Sequence, residues 1–238
     1  QTPSLPNSNG VWECEVDAAG NVYIIGGCMP MKLLKYGPAG GAPLWTYTTP
    51  WDTTTSWLGT LATDNLGNSY VTSGSIAAMQ KVNNAAGLVW SYTAPAFSVD
   101  EYWTISFNCD QTKLIVGGTT GAGFPSTNLE GAIFDINTTN GNITSTQIVG
   151  AMQGFSINEC RSLTSNYSAR YYYLTLDTMG CIDQNFSACP SGNPIFEIND
   201  GYNLSYKCEN FRPNNGNGGI KSIRANKNFV YTQNGSNV

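Results

Sequence analysis

The chain has 238 residues, of which only 11% are Asp, Glu, Lys or Arg, and its formal net charge at pH 7 is −5. A chain of this length can bury a sizeable core, as one large domain or two small ones. The acidic balance and the absence of a Lys/Arg cluster argue against nucleic acid as a partner, because phosphate backbones are bound by clustered positive charge. No apolar run approaches the roughly 18 residues of a membrane-spanning helix, so no direct membrane insertion is expected.

The first part of the chain contains two nearly matching units. DAAGNVYIIGG (17–27) returns as DNLGNSYVTSG (64–74), with Asp, Gly-Asn and a β-branched and aromatic run kept in order. The similarity continues along the chain, and Trp45 and Trp90 mark the same place in the two units, 45 residues apart. Self-similarity at such a period is the signature of a repeat architecture.

Each unit is predicted to hold four extended segments. In the first unit these are roughly 12–16, 21–26, 31–36 and 43–48. The joints between them are rich in Gly, Asn and Asp, which supply the positive φ angles that tight hairpins need. The repeated stretch is therefore interpreted as the hairpin between the inner two strands of each unit.

Three further units follow. A third starts at YWTISFNCDQTKLIVGG (102–118) and returns at GAIFDINTTNGNITSTQIV (131–149). A fourth starts at ECRSLTSNYSARYYYLTLD (159–177) and returns at PIFEINDGYNLSYKC (194–208). Both carry an insertion between their second and third strands, and a fifth unit, from residue 220, supplies two strands.

Four-stranded antiparallel units repeated in this way predict an all-β fold, a β-propeller with four complete blades and part of a fifth. The competing architecture, a β-sandwich, does not repeat its strands as matched quartets. Half a blade cannot close a ring, so either residues 1–10 supply strands or the natural polypeptide continues past Val238. Continuation is favoured, because proteins avoid open sheet edges. Residues 1–238 are predicted to form one incomplete domain, with blades at about 11–50, 56–95, 101–149, 158–208 and 219–238.

The start of the chain and its cysteines indicate a secreted protein. Gln1 follows no apolar leader, which we interpret as a mature N-terminus after signal-peptide removal, with an arbitrary boundary as the alternative. Seven cysteines without a CxxC pair indicate an oxidising compartment. The shortest local disulfide would join Cys181 and Cys189, and the odd count leaves at least one thiol free or paired outside the chain.

Several stretches resemble known families. LLKYGPAGGAPLWTY (33–47) resembles the blades of quinoprotein-like propellers, which end in a Gly turn followed by a Leu-Trp pair. GNVYIIGGC (20–28) and DEYWTISFNCDQTKLIVGGT (100–119), with the Gln1 start, are similar to the N-terminal propeller region of large Bacteroidetes cell-surface proteins with gliding-motility-associated, type B sorting domains. This resemblance implies export by the type IX secretion system and a place on the bacterial cell surface, attached to the outer membrane through a region outside this chain.

The same resemblance implies a modification and a set of partners. O-glycosylation is expected at two Asp-Thr motifs, on Thr53 and Thr178. The expected partners are other domains of a longer chain, cell-envelope proteins and surface glycans. No cofactor constellation can be identified, so no cofactor is expected.

The residue types exclude several kinds of catalytic and metal site. The chain has no His, which removes the Ser-His-Asp triad, the Cys-His dyad and His-ligated metals from these residues. The Asp-x-x-Gly-Asn turns supply one carboxylate each, whereas calcium needs about six to eight gathered oxygens. No metal site is therefore expected.

The remaining candidate is the face on which one blade passes to the next. Its connections bring aromatic rings together with carboxylates, a combination that suits sugars because rings stack on apolar faces and carboxylates accept hydrogen bonds. Packing between blades is the alternative reading for Trp57 and Trp103, whereas Trp51, beside Asp52 in a polar loop, is expected to be exposed. The candidate ligand-binding residues are Trp51, Asp52, Trp57, Asp100, Glu101, Trp103 and Glu159.

Three functions remain open at this point. The leading hypothesis is a non-catalytic binding or adhesion propeller of a large secreted bacterial protein, glycan-binding and associated with gliding. The alternative is a secreted carbohydrate-active enzyme that uses two carboxylates of the same face as an acid/base pair, as glycoside hydrolases do. The third is a purely structural module that docks onto a partner at the cell envelope.

Overall fold

The structure is a computed structural model. For Glu101, Thr120, Glu130 and those described residues that lie from 147 onward, it describes the backbone but not the side chain. The described residues are 11–26, 30–51, 59–73, 77–94, 101–108, 110–120, 130–148, 159–165, 171–177, 194–199, 204–209, 220–225 and 230–234.

The described chain is built from β-strands, which form four four-stranded sheets and one two-stranded sheet. The first sheet contains β1 (Val11–Val16), β2 (Val22–Gly26), β3 (Lys32–Tyr36) and β4 (Trp45–Thr48). The second contains β5 (Leu61–Thr63), β6 (Ser69–Ser73), β7 (Ala78–Val82) and β8 (Leu88–Thr93). The third contains β9 (Glu101–Phe107), β10 (Lys113–Thr120), β11 (Glu130–Asn137) and β12 (Ile143–Ile148). The fourth contains β13 (Glu159–Ser165), β14 (Tyr171–Asp177), β15 (Pro194–Asn199) and β16 (Leu204–Glu209), and the fifth contains β17 (Ile220–Ala225) and β18 (Val230–Asn234).

The strands of each four-stranded sheet follow one another in chain order. The first, second and fourth sheets are antiparallel throughout, as are the pairs β10–β11 and β11–β12 of the third. The prediction of an all-β fold made of four-stranded antiparallel units is confirmed. Within the described ranges no helix occurs, and none could therefore span a membrane.

The repeated stretch forms the hairpin between the first two strands of a sheet, as predicted. Asp17 precedes the β1–β2 turn, and its Oδ1 accepts hydrogen bonds from the backbone N–H groups of Ala19 and Asn21 at 3.0 and 2.9 Å. Gly20 completes this turn with a φ of +81°, a conformation that a residue without Cβ adopts at little cost. The fixed order Asp, Gly, Asn is thus explained by turn geometry.

The contacts divide the chain into two compact units. The first contains residues 1–96, 101–103 and 138–142, and the second contains 97–100, 104–137 and 143–238. In the second compact unit, β13 lies against β10 and β11, and β17 lies against β13 and β14. The single propeller domain and its blade boundaries stay a prediction.

The core of the first compact unit lies between the first and second sheets. Alternate residues of β2, Tyr23 and Ile25, are fully buried there, and Val71 and Val82 meet them from the second sheet. Alternation of this kind places every second side chain of a strand on one face. The first two sheets are therefore joined by a continuous apolar layer, which also contains Met31, Leu33, Trp51, Leu61 and Ala78.

Candidate functional site

The structure places some of the predicted site residues and leaves others outside the described ranges. Glu101 is the first residue of β9, and Trp103, two residues further along, is half-buried. Glu159 is the first residue of β13, opposite Asp177 of β14 in the strand register. The others, Asp52, Thr53, Trp57, Asp100, Thr178, Cys181 and Cys189, lie outside the described residues.

The exposure expected for Trp51 is wrong. Its side chain is only 6% exposed and packs in the apolar layer between the first and second sheets, together with Met31 and Leu61. Burial of an aromatic ring of this size removes a large apolar area from water, which outweighs the polar character of the neighbouring sequence. Trp51 is thus a core residue that fixes the start of the connection from β4 to β5.

The connection from the first sheet to the second, residues 49–60, is held at both ends. At its start, the backbone N–H and the hydroxyl of Thr49 both donate to the carbonyl of Met31, at 3.0 and 3.1 Å. At its end, the Glu13 carboxylate accepts hydrogen bonds from the Thr60 hydroxyl and from the Leu61 N–H, the latter at 2.8 Å. The described residues on either side of the segment 52–58 are therefore held in place, Thr49 and Trp51 before it and Thr60 and Leu61 after it.

Three side chains of the first sheet, those of Trp45, Lys35 and Tyr23, form a cluster that contacts a turn of the second sheet at Asn84. We call this cluster a tryptophan clasp. The indole N–H of Trp45 donates to the Asn84 carbonyl at 2.9 Å, and the Lys35 ammonium donates to the Asn84 side chain. The ammonium also lies 5.0 Å from the centre of the Tyr23 ring, which meets Trp45 edge-on at 6.0 Å. Cation–π attraction of this kind compensates for part of the cost of burying Lys35.

The second sheet repeats the clasp with equivalent residues. The indole N–H of Trp90 and the Lys81 ammonium donate to the same carbonyl, that of Thr138, at 3.1 and 3.2 Å. Lys81 lies 5.0 Å from the Tyr70 ring centre, as Lys35 does from Tyr23. A Cβ on Gly141 would lie 2.7 Å from the Trp90 ring, so the indole packs directly on the backbone of this turn.

The hydroxyl of each clasp tyrosine donates a hydrogen bond to the aspartate in the β-hairpin of the same sheet. The Tyr23 hydroxyl donates to Asp17 at 3.0 Å and the Tyr70 hydroxyl donates to Asp64 at 3.2 Å. Burial, together with these carboxylates, raises the pKa of both tyrosines above the ordinary value of 10.0. Desolvation raises the pKa of Asp17, but hydrogen bonds from Asn21, Tyr23 and Ala19 outweigh it and leave this pKa lowered.

The third sheet breaks the pattern of the clasp. Asp135 occupies the position that corresponds to Lys81, and its carboxylate pairs with Lys113 of the neighbouring strand at 3.2 Å. Asp135 is buried while Lys113 is half exposed, and among the described residues the second carboxylate oxygen of Asp135 has no hydrogen-bond partner. The third sheet therefore has a carboxylate at the position where the first two sheets have a lysine ammonium group.

Potential metal ligands among the same described residues are acidic side chains and thiols. Throughout the described ranges, no group of three or more acidic or cysteine side chains is placed to hold a metal ion. Cys14 of β1 is an exposed free thiol. The chemistry that these residues support is anchoring: they fix the turns and the ends of a connection.

Sequence reasoning missed the residues that hold the connection and the clasps. Glu13 lies 47 residues before Thr60 in sequence, and Lys35 lies 49 residues before Asn84. Partners so distant in sequence are visible only after the sheets are packed. The sequence signal that could have indicated the clasps is the recurrence of Tyr, Lys and Trp at equivalent positions of the first two repeats.

Comparison with known proteins gives likenesses of fold. No protein-family model matches the chain, and no curated protein matches it. A structure of a protein of unknown function from Bacteroides caccae is 11% identical, with 87% of this chain and 69% of that chain covered and a TM-score of 0.62. The nidogen/laminin complex is 10% identical, with 96% and 73% covered and a TM-score of 0.62.

A further similar structure is Raptor from Chaetomium thermophilum, at 10% identity and a TM-score of 0.59. Here 91% of this chain is covered but only 18% of Raptor, so the chain corresponds to a small part of that protein. At such identities the likeness concerns the fold alone, and it supports a propeller-like all-β fold.

Proposed function

We propose that the chain is a non-catalytic binding module of a bacterial cell-surface protein, part of an incomplete β-propeller with four complete blades. It binds surface glycans through the connections between its sheets, in an adhesin associated with gliding motility and exported by type IX secretion. Its further partners are other domains of a longer chain and cell-envelope proteins.

The observation that carries this proposal is the anchoring of the connection 49–60. Trp51 fixes its start in the core, and Glu13 fixes its end through Thr60 and Leu61. Binding residues work best when rigid elements hold the segment that presents them. Asp52 and Trp57 lie, in sequence, between these two fixed points.

The position of Glu101 supports the same function. It begins β9, so it stands where the connection from the second sheet enters the third. A carboxylate there accepts sugar hydroxyl hydrogen bonds, while an aromatic ring of the connection stacks on the sugar.

The experiment compares a carboxylate at the start of β9 with one in the turn that follows this strand. Glu101→Gln removes the charge at the start of β9, and the control Asp110→Asn removes an exposed charge in the β9–β10 turn while keeping an acceptor for Thr112. Glycan affinity measured by calorimetry is expected to fall at least tenfold in Glu101→Gln, about 1.4 kcal/mol, and to stay unchanged in Asp110→Asn. Equal affinities of both variants and the unmodified chain would contradict a glycan site at Glu101 and favour a structural module.

A second candidate function rests on the register of the fourth sheet. Glu159 and Asp177 stand directly opposite each other on β13 and β14. Two carboxylates on neighbouring strands are the elements of an acid/base pair, with a separation of about 5 Å for retaining glycosidases. A secreted carbohydrate-active enzyme is therefore the alternative function.

The test of this alternative is turnover. Glycans incubated with the chain are expected to stay intact if the module only binds. If the unmodified chain shortens the glycans and neither Glu159→Gln nor Asp177→Asn does so, the enzyme replaces the binding module as the proposed function.

A further inference from the structure

The turn between β11 and β12 contains an exposed asparagine followed by glycine. Within the described part of the chain, Asn140 and Gly141 form the one Asn-Gly pair. The Asn140 side chain is exposed, and its Oδ1 accepts a hydrogen bond from the Asn142 N–H at 3.0 Å. This bond folds the side-chain amide back over the peptide that joins Asn140 to Gly141.

An exposed asparagine followed by glycine can undergo an intramolecular reaction of its side-chain amide. The backbone nitrogen of Gly141, once it loses its proton to solvent base, can form a bond to Cγ of Asn140. The Cγ–Nδ2 bond then breaks and ammonia leaves, which closes a succinimide ring. Water opens the ring at either carbonyl and gives aspartate or isoaspartate. Glycine places no Cβ in the way of the attack, and the Asn142 N–H stabilises the charge that develops on Oδ1.

We infer that Asn140–Gly141 is a site of spontaneous deamidation that loosens the second tryptophan clasp. The clasp is formed on the same turn, because Trp90 and Lys81 donate to the Thr138 carbonyl and the indole packs on Gly141. Isoaspartate adds a methylene group to the backbone of this turn. The longer backbone displaces the Thr138 carbonyl from the two donors and Gly141 from the indole.

The chain also supplies an internal comparison for this reaction. Asn142 is exposed in the same turn but is followed by Ile143, whose β-branched side chain hinders attack by its backbone nitrogen. Both asparagine side chains are exposed, and the two sites differ in the following residue, which is the buried Gly141 in one case and the half-buried, β-branched Ile143 in the other. Asn140 is expected to react several-fold faster than Asn142.

The experiment is ageing of the full chain at mildly alkaline pH, followed by peptide mass mapping and enzymatic methylation of isoaspartate. Hydrogen exchange of the backbone is then measured in residues 88–93 and 138–142. The expected result is isoaspartate at Asn140, with faster exchange in both segments of the aged protein. The variant Asn140→Gln, kept under the same conditions, is expected to retain slow exchange.

Two results would overturn the inference. Equal conversion at Asn140 and Asn142 would remove the special reactivity of the Asn-Gly pair. Full conversion of Asn140 with unchanged hydrogen exchange around Trp90 would show that deamidation does not loosen the clasp.

Discussion

At the residue scale, each of the hairpin aspartates Asp17 and Asp64 accepts four hydrogen bonds. Asp64 accepts hydrogen bonds from the N–H groups of Leu66 and Asn68, from the Asn68 amide and from the Tyr70 hydroxyl, at 2.8–3.2 Å. Asp17 holds the same set of contacts in the first sheet but is half exposed, whereas Asp64 is buried. The two sites thus differ mainly in access to water.

Asp64→Ala is expected to lower the free energy of unfolding by about 2–4 kcal/mol, because it removes a buried, charged acceptor of four hydrogen bonds. The matched variant Asp17→Ala is expected to cost roughly 1–2 kcal/mol, since the Asp17 carboxylate is partly exposed and water already competes for its hydrogen bonds. Urea denaturation of the two variants measures the difference. A cost at Asp17 equal to or larger than that at Asp64 would show that burial is not what makes the Asp64 contacts strong.

At the element scale, the turn between β11 and β12 must lie close to Trp90. Gly141 has a φ of +78° and Gly40 has a φ of +72°, but a Cβ on Gly40 would meet no atom within 4 Å. Gly141→Ala therefore adds a clash with the Trp90 ring to the strain that both positions share. We expect a loss of about 2–4 kcal/mol for Gly141→Ala and of about 1 kcal/mol for Gly40→Ala.

Thermal denaturation of both glycine variants checks this prediction. If Gly40→Ala is as destabilising as Gly141→Ala, the cost comes from the positive φ alone and the close packing of Trp90 on the turn contributes nothing.

The strands and turns could be read from the sequence, because their determinants are local. The β-branched and aromatic runs of the first repeat, and the Gly, Asn and Asp between them, predict its four extended segments, and β1–β4 lie at these places. Trp51 was misjudged because its immediate neighbours are polar, whereas its burial depends on residues of the second sheet such as Val71 and Val82. The role of Glu13 was missed for the same reason.

At the scale of the whole molecule, buried tyrosines make stability depend on alkaline pH. Burial raises the pKa values of Tyr23, Tyr70 and Tyr102 above 10.0. In the unfolded chain these groups lose their protons first as the pH rises, so their contribution is fully present below pH 10.0 and is lost above it. The protein is expected to unfold cooperatively in this range.

Tyrosinate absorbance and circular dichroism, followed together during an alkaline titration, test this expectation. The two signals are expected to change at the same pH. Ionisation of all thirteen tyrosines at about pH 10, with the β-sheet signal retained, would contradict the burial of these hydroxyls.

The central claim, a binding module without catalytic activity, is tested most directly by a glycan microarray probed with the purified chain, followed by mass analysis of the glycans recovered from it. The predicted result is retention of a defined set of bacterial surface glycans, each recovered at its original mass. Retention of none, or recovery of shortened glycans, would contradict the claim.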